Sequence, residues 1–151
     1  MSKITIVTGL IISLMLGFIS ATSSQAQETY IDDKCKQNQQ LNESDRFTVT
    51  YKSEFQTKGQ TYWLYSGQYI DGSAIVCISR PGFKQPKPLN IKQIQSGYIE
   101  KITKDSRNQT AYFIIVRDGN GSYVPVTQYR VNLSTPERPI TAKIKSWRSG
   151  R

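Results

Sequence analysis

Apolar and polar positions along the chain follow two regimes. Residues 4–19 are apolar almost without interruption, whereas from Phe47 onward apolar and polar residues alternate. Phe47, Val49, Tyr51 and Phe55 are separated by Thr48, Thr50, Lys52 and Glu54, the period of a strand with one buried face. Lys58-Gly59-Gln60 interrupts this run as a turn. Residues 61–69 resume it with Tyr62, Trp63, Tyr65 and Tyr69. Asp71-Gly72 is a strong hairpin signal, and residues 73–79 return as an apolar strand that holds Cys77.

The segment 80–88, Arg-Pro-Gly-Phe-Lys-Gln-Pro-Lys-Pro, reads as a partly extended loop, because its three prolines remove three ladder donors. Further strands are expected over 98–103, 110–117 and 123–133, with Asp118-Gly119-Asn120-Gly121 as the turn between the last two. After Pro136 and Pro139, Ile140, Ala142 and Ile144 alternate with Thr141, Lys143 and Lys145 in a final strand, and residues 149–151 fray. Such a series of short strands predicts an all-β fold, a small antiparallel sandwich or open barrel of about seven strands. The β domain spans 47–148, and a polar, irregular segment, 27–46, precedes it.

The apolar stretch 4–19 follows Lys3 and leads into Ser24-Gln25-Ala26, the layout of a secretory signal over residues 1–26. Ser24 and Ala26 are the small residues that a signal peptidase requires, placing the cut before Gln27. The same stretch retained as a membrane anchor is the alternative, although Thr5, Thr8, Gly9, Ser13 and Gly17 dilute its hydrophobicity. The expected address is secreted or periplasmic, with no transmembrane segment after cleavage.

Export changes the meaning of the two cysteines and of the charge. In an oxidising compartment Cys35 and Cys77 pair. Twenty basic and 11 acidic residues give the chain a net charge of +9, or +8 once Lys3 leaves with the leader. Outside the cytosol that charge points away from nucleic acid and towards anionic polysaccharide, a lipid surface or another envelope protein. The chain has no histidine, which excludes Ser-His-Asp and Cys-His catalysis and removes the commonest metal ligand. No cofactor is expected. Asp118-Gly-Asn120-Gly-Ser122 imitates the start of a calcium loop, but Tyr123 and Tyr129 stand where the glycine and the bidentate glutamate belong.

On an antiparallel strand Trp63, Tyr65 and Tyr69 share one face, and Tyr62 and Leu64 share the other. Aromatic rings beside lysines form a surface suited to sugar rings. The alternative is core packing, with one of the two faces lying beneath a loop. The candidate binding residues are Trp63, Tyr65, Tyr69, Lys84, Lys87, Lys143 and Lys145, and the expected patch requires the loop lysines and the last-strand lysines to meet. The stretch Ser73-Ala-Ile-Val-Cys-Ile-Ser-Arg-Pro-Gly-Phe83, after an aromatic strand and a leader, resembles small secreted cyanobacterial proteins of unknown function. The resemblance implies an envelope or extracellular setting and no activity. The expected function is therefore a secreted or periplasmic, non-catalytic binding or structural protein of the envelope. The rivals are a small envelope hydrolase using carboxylates or a Ser–Lys pair, and an inhibitor that inserts the loop beginning at Arg80.

Overall fold

A computed structural model describes residues 27–95 and 97–150, so the expected leader, 1–26, lies outside the described residues. The strands are β1 Tyr30–Ile31, β2 Phe47–Thr57, β3 Gln60–Gln68, β4 Ala74–Arg80, β5 Lys84–Pro88, β6 Tyr98–Lys104, β7 Ala111–Arg117, β8 Pro125–Asn132 and β9 Ile140–Arg148, with a short α-helix, α1 Lys92–Gln95, and a single 3-10 turn, Glu43–Asp45. They form two antiparallel sheets that each follow chain order: sheet A, β1-β2-β3-β4-β5, and sheet B, β6-β7-β8-β9.

Local chemistry sets these hairpins. Lys58 and Gly59 both take positive φ, 50° and 68°, the backbone that a tight two-residue hairpin turn requires, and Thr57 then pairs with Gln60. Asp71 Oδ1 accepts from the Ser73 N–H at 2.7 Å, while Gly72 takes φ 88°. The Asp118–Ser122 segment closes the β7–β8 hairpin, with the Asp118 N–H donating to the Pro125 carbonyl at 2.8 Å.

Two strands arise beyond the pattern read from the sequence. β1 pairs Tyr30 with Thr48 and Ile31 with Phe47. β5 forms inside the proline-rich segment, through Cys77↔Pro88, Ile78↔Lys87 and Arg80↔Lys84. It is an edge strand with one ladder partner, the position where proline's missing N–H costs no ladder bond. The terminus expected to fray is tied down as far as Ser149, whose N–H donates to the Val124 carbonyl at 2.9 Å while its hydroxyl accepts the Val124 N–H at 2.9 Å.

The sheets enclose one core, in which Phe55, Leu64, Val76 and Ile78 of sheet A meet Ile102, Tyr112, Ile114, Val116 and Val131 of sheet B. Phe55 meets the Tyr112 ring edge-on at 6.0 Å. Leu89, Ile91 and Ile94 of the β5–β6 connection fill one side. There Gln95 acts as a substitute strand, accepting the Val76 N–H and donating to the Val76 carbonyl.

Candidate functional site

Period two places Trp63, Tyr65, Ile75 and Cys77 on the face of sheet A that points away from sheet B. This outer face is sealed. The N-terminal segment folds over it, forming a second hydrophobic cluster of Ile31, Cys35, Tyr65 and Cys77 with Phe47, Val49, Trp63, Ile75 and Phe83 packed against it. A Cys35–Cys77 disulfide bridges cover and sheet, with Cα atoms 5.9 Å apart. The cover rests on the sheet at Gly67, where a Cβ would stand 2.7 Å from Phe47 Cβ and 2.8 Å from Ile31 Cδ1.

This environment decides what the expected aromatic site can do. Tyr65 is 0% exposed, and its hydroxyl donates to the Cys35 carbonyl at 2.8 Å. Burial pushes its pKa well above that of an ordinary tyrosine. Tyr65 therefore packs as core and leaves the expected binding face. Trp63 is half-buried, edge-on to Phe83 at 5.3 Å, under the Lys52 ammonium at 4.3 Å, with its N–H donating to Glu54 at 3.3 Å. Its ring and its polar handle are both already used. Tyr69 packs on Phe47 at 5.5 Å and donates to the Ser44 carbonyl at 3.0 Å.

The expected lysines are dispersed. Lys84 and Lys87 stand on β5, at one edge of sheet A. Lys87 lines a crevice of about 180 Å³ with Tyr62, Arg80, Gln85 and Glu137. Lys143 pairs with Tyr129 and Lys145 with Gln128, so the β-bulge at Ile144 turns the two lysines to opposite faces of sheet B. The seven expected residues therefore do not share one surface.

The same geometry bears on the rival chemistries. Arg80 is not free to insert into a partner. Its guanidinium stacks on Tyr62 at 4.1 Å, donates to the Thr61 carbonyl at 3.4 Å and is also bonded to the Gln60 side chain. Glu137 is the single carboxylate lining the crevice, whereas acid–base glycoside chemistry takes a facing pair. Asp105 and Asp71 are held below the usual carboxylate range. For Asp105 the Arg107 N–H contributes most, followed by Arg130; for Asp71 the bonds come from Ser73. Such bonds favour the anion, the opposite of what a general acid needs.

Sheet B presents the contrast. The described residues form hydrophobic clusters between the sheets and over sheet A, and none on the outer face of sheet B. Pairing places Lys101, Phe113, Ile115, Arg130, Lys145 and Trp147 on that face. Lys101 and Lys145 are exposed, and Phe113, Ile115 and Arg130 are half-exposed. Trp147 is 38% exposed, with the Lys145 ammonium 5.2 Å from its ring. A shallow hollow of about 690 Å³ opens at one end of the face, between Phe113, Arg107, Arg130, Asp105, Ser106 and Asn108. Arg130 is oriented there by Asp105, with its Nη2 2.9 Å from the carboxylate.

Sequence reasoning found one member of this face, Lys145, and missed the rest. Phe113, Ile115, Lys145 and Trp147 do alternate with their neighbours, but which alternation faces outward depends on pairing across β7, β8 and β9. The bulge at Ile144 leaves no mark in residue type. Among the described residues no helix is long and apolar enough to cross a membrane, and no group of three or more Asp, Glu, Cys or His gathers as a metal site. No protein-family model, curated protein or solved structure matches the chain.

Proposed function

We propose that this chain is an exported, non-catalytic binding domain whose outer sheet-B face engages an anionic polysaccharide of the envelope or the extracellular space. The observation that carries the reading is Trp147, a large aromatic side chain left 38% exposed beneath an ammonium on a face without its own hydrophobic cluster. Half-exposed rings offer flat surfaces for sugar rings, and the surrounding Lys101, Arg107 and Lys145 neutralise carboxylate or sulfate groups. The net charge, +8 without the expected leader, steers such a polymer towards the protein over about a Debye length. The disulfide and the expected leader agree with an oxidising compartment.

Retention on immobilised dextran sulfate and on immobilised alginate tests this reading. The protein is retained at low ionic strength and released by salt. The double variant Lys101→Glu/Lys145→Glu elutes at markedly lower salt with its thermal midpoint unchanged. Failure of the native protein to be retained even at low ionic strength overturns the proposal.

A further inference from the structure

The two sheets have four edges, and three of them are blunted. β1 is two residues long, and the chain folds back beside it, with an Ile31–Gln37 bridge and an Asn38 N–H donating to the Tyr30 carbonyl at 3.0 Å. β5 carries Pro86 and Pro88, and its Gln85 sits at φ 50°, which breaks the extended backbone that another strand would need. β6 is interrupted by a bulge between Ile99 and Lys101, around Glu100.

The fourth edge, β9, also carries a bulge, at Ile144, but it is longer than β6 and, unlike β6, exposed along nearly its whole length. β9 runs for nine residues without proline, pairs only with β8, and is exposed at every position except the half-buried Thr141. Ile140 is 67% and Ile144 49% exposed, and with Trp147 they account for three of the five large hydrophobic side chains exposed among the described residues. A long, unpaired edge with exposed isoleucines is a template for another strand.

Charge selects the occupant. A second copy of β9 would bring three cations against three, and like charges facing each other across a ladder destabilise it. β9 carries Lys143, Lys145 and Arg148 and no acidic residue. A strand bearing Asp or Glu reverses that penalty into attraction. We infer that β9 accepts an extended, acidic segment of a partner protein as an added antiparallel strand. Main-chain bonds along the edge supply affinity, and the three cations exclude self-pairing.

The test uses the ¹⁵N-labelled protein and a nine-residue peptide of alternating Val and Glu, followed by amide shifts and amide-exchange protection. Shifts and new protection are expected along 140–148. N-methylation of alternate peptide amides abolishes them, and a Val/Lys peptide does not produce them. Lys143→Glu weakens the Val/Glu peptide by roughly tenfold and gains binding of the Val/Lys peptide. Lys143 lies on the face opposite Lys145, so this variant leaves polysaccharide retention intact and separates failure of this inference from failure of the proposed function. No binding, shifts confined to the outer face around Phe113 and Arg130, or insensitivity to N-methylation overturns the inference. So does a β9-mediated dimer of the native protein in sedimentation.

Discussion

Trp63 and Trp147 sit on the outer faces of the two sheets, and each lies near a lysine ammonium, at 4.3 Å and 5.2 Å. Their surroundings differ in every other respect. Trp63 is closed in by Phe83 and Glu54, on a face bolted under the N-terminal segment by the Cys35–Cys77 bridge. Trp147 lies on an edge strand with its ring open to solvent. The same residue pair thus serves packing on one side of the sandwich and offers a surface on the other. A Trp–Lys pair is not itself a binding signature; what covers it decides its role.

Removing the bolt should have the largest effect. Cys35→Ala/Cys77→Ala opens a loop with a sequence separation of 42 residues. Chain entropy predicts a loss of about 4 kcal/mol, a large part of a small domain's total stability. Urea unfolding measures it, and a loss below about 1 kcal/mol would mean that the cover contributes little to the fold. Polysaccharide retention by whatever fraction stays folded should be unchanged, because the bridge lies across the sandwich from the proposed surface.

A smaller and sharper contrast comes from single side chains. Tyr65→Phe removes the donor to the buried Cys35 carbonyl and should cost about 1–3 kcal/mol with no change in retention. Trp147→Ala should cost less than about 0.5 kcal/mol, as exposed positions do, while weakening retention clearly. Reversed outcomes would exchange the roles assigned to the two faces.

The weakest effect at neutral pH appears on the alkaline side. Burial raises the Tyr112 hydroxyl to about 12 and the Tyr65 hydroxyl further still. Both values exceed the unfolded reference of about 10, so the folded state holds these protons more tightly. The associated stability is complete below about pH 10 and is lost as pH climbs through the folded values. Absorbance at 295 nm should show a late group of tyrosines that ionises together with loss of the fold. Complete ionisation below about pH 11 with the fold intact would contradict their burial.

Much of the fold was legible because turns and alternation are local. Lys58-Gly59, Asp71-Gly72 and Asp118-Gly119 announce their hairpins, and the strands between them fall within a few residues of expectation. Period two also put Trp63 and Tyr65 on one face. It could not say that the face is covered, because the cover is a polar stretch that commits only Ile31 and Cys35 to full burial. Residues 80–88 were read as a loop because proline forbids a central strand; that argument does not reach an edge.

The site was less legible for a related reason. Ile140, Ala142 and Ile144 alternate like a buried face, yet all three are exposed, because β9 is the last strand of its sheet. The bulge then splits Lys143 from Lys145. Burial and register are properties of neighbours distant in sequence, and here they outweigh the local pattern.

The most direct test of the claim that sheet B presents the working face and sheet A a structural one is amide-shift mapping. The ¹⁵N-labelled protein would be titrated with a size-defined alginate oligosaccharide at low ionic strength. The largest shifts are expected at Lys101, Phe113, Ile115, Arg130, Lys145 and Trp147 and should collapse as salt is added. Shifts centred instead on Lys52, Trp63 and Phe83, or spread evenly over the molecule, would contradict the account.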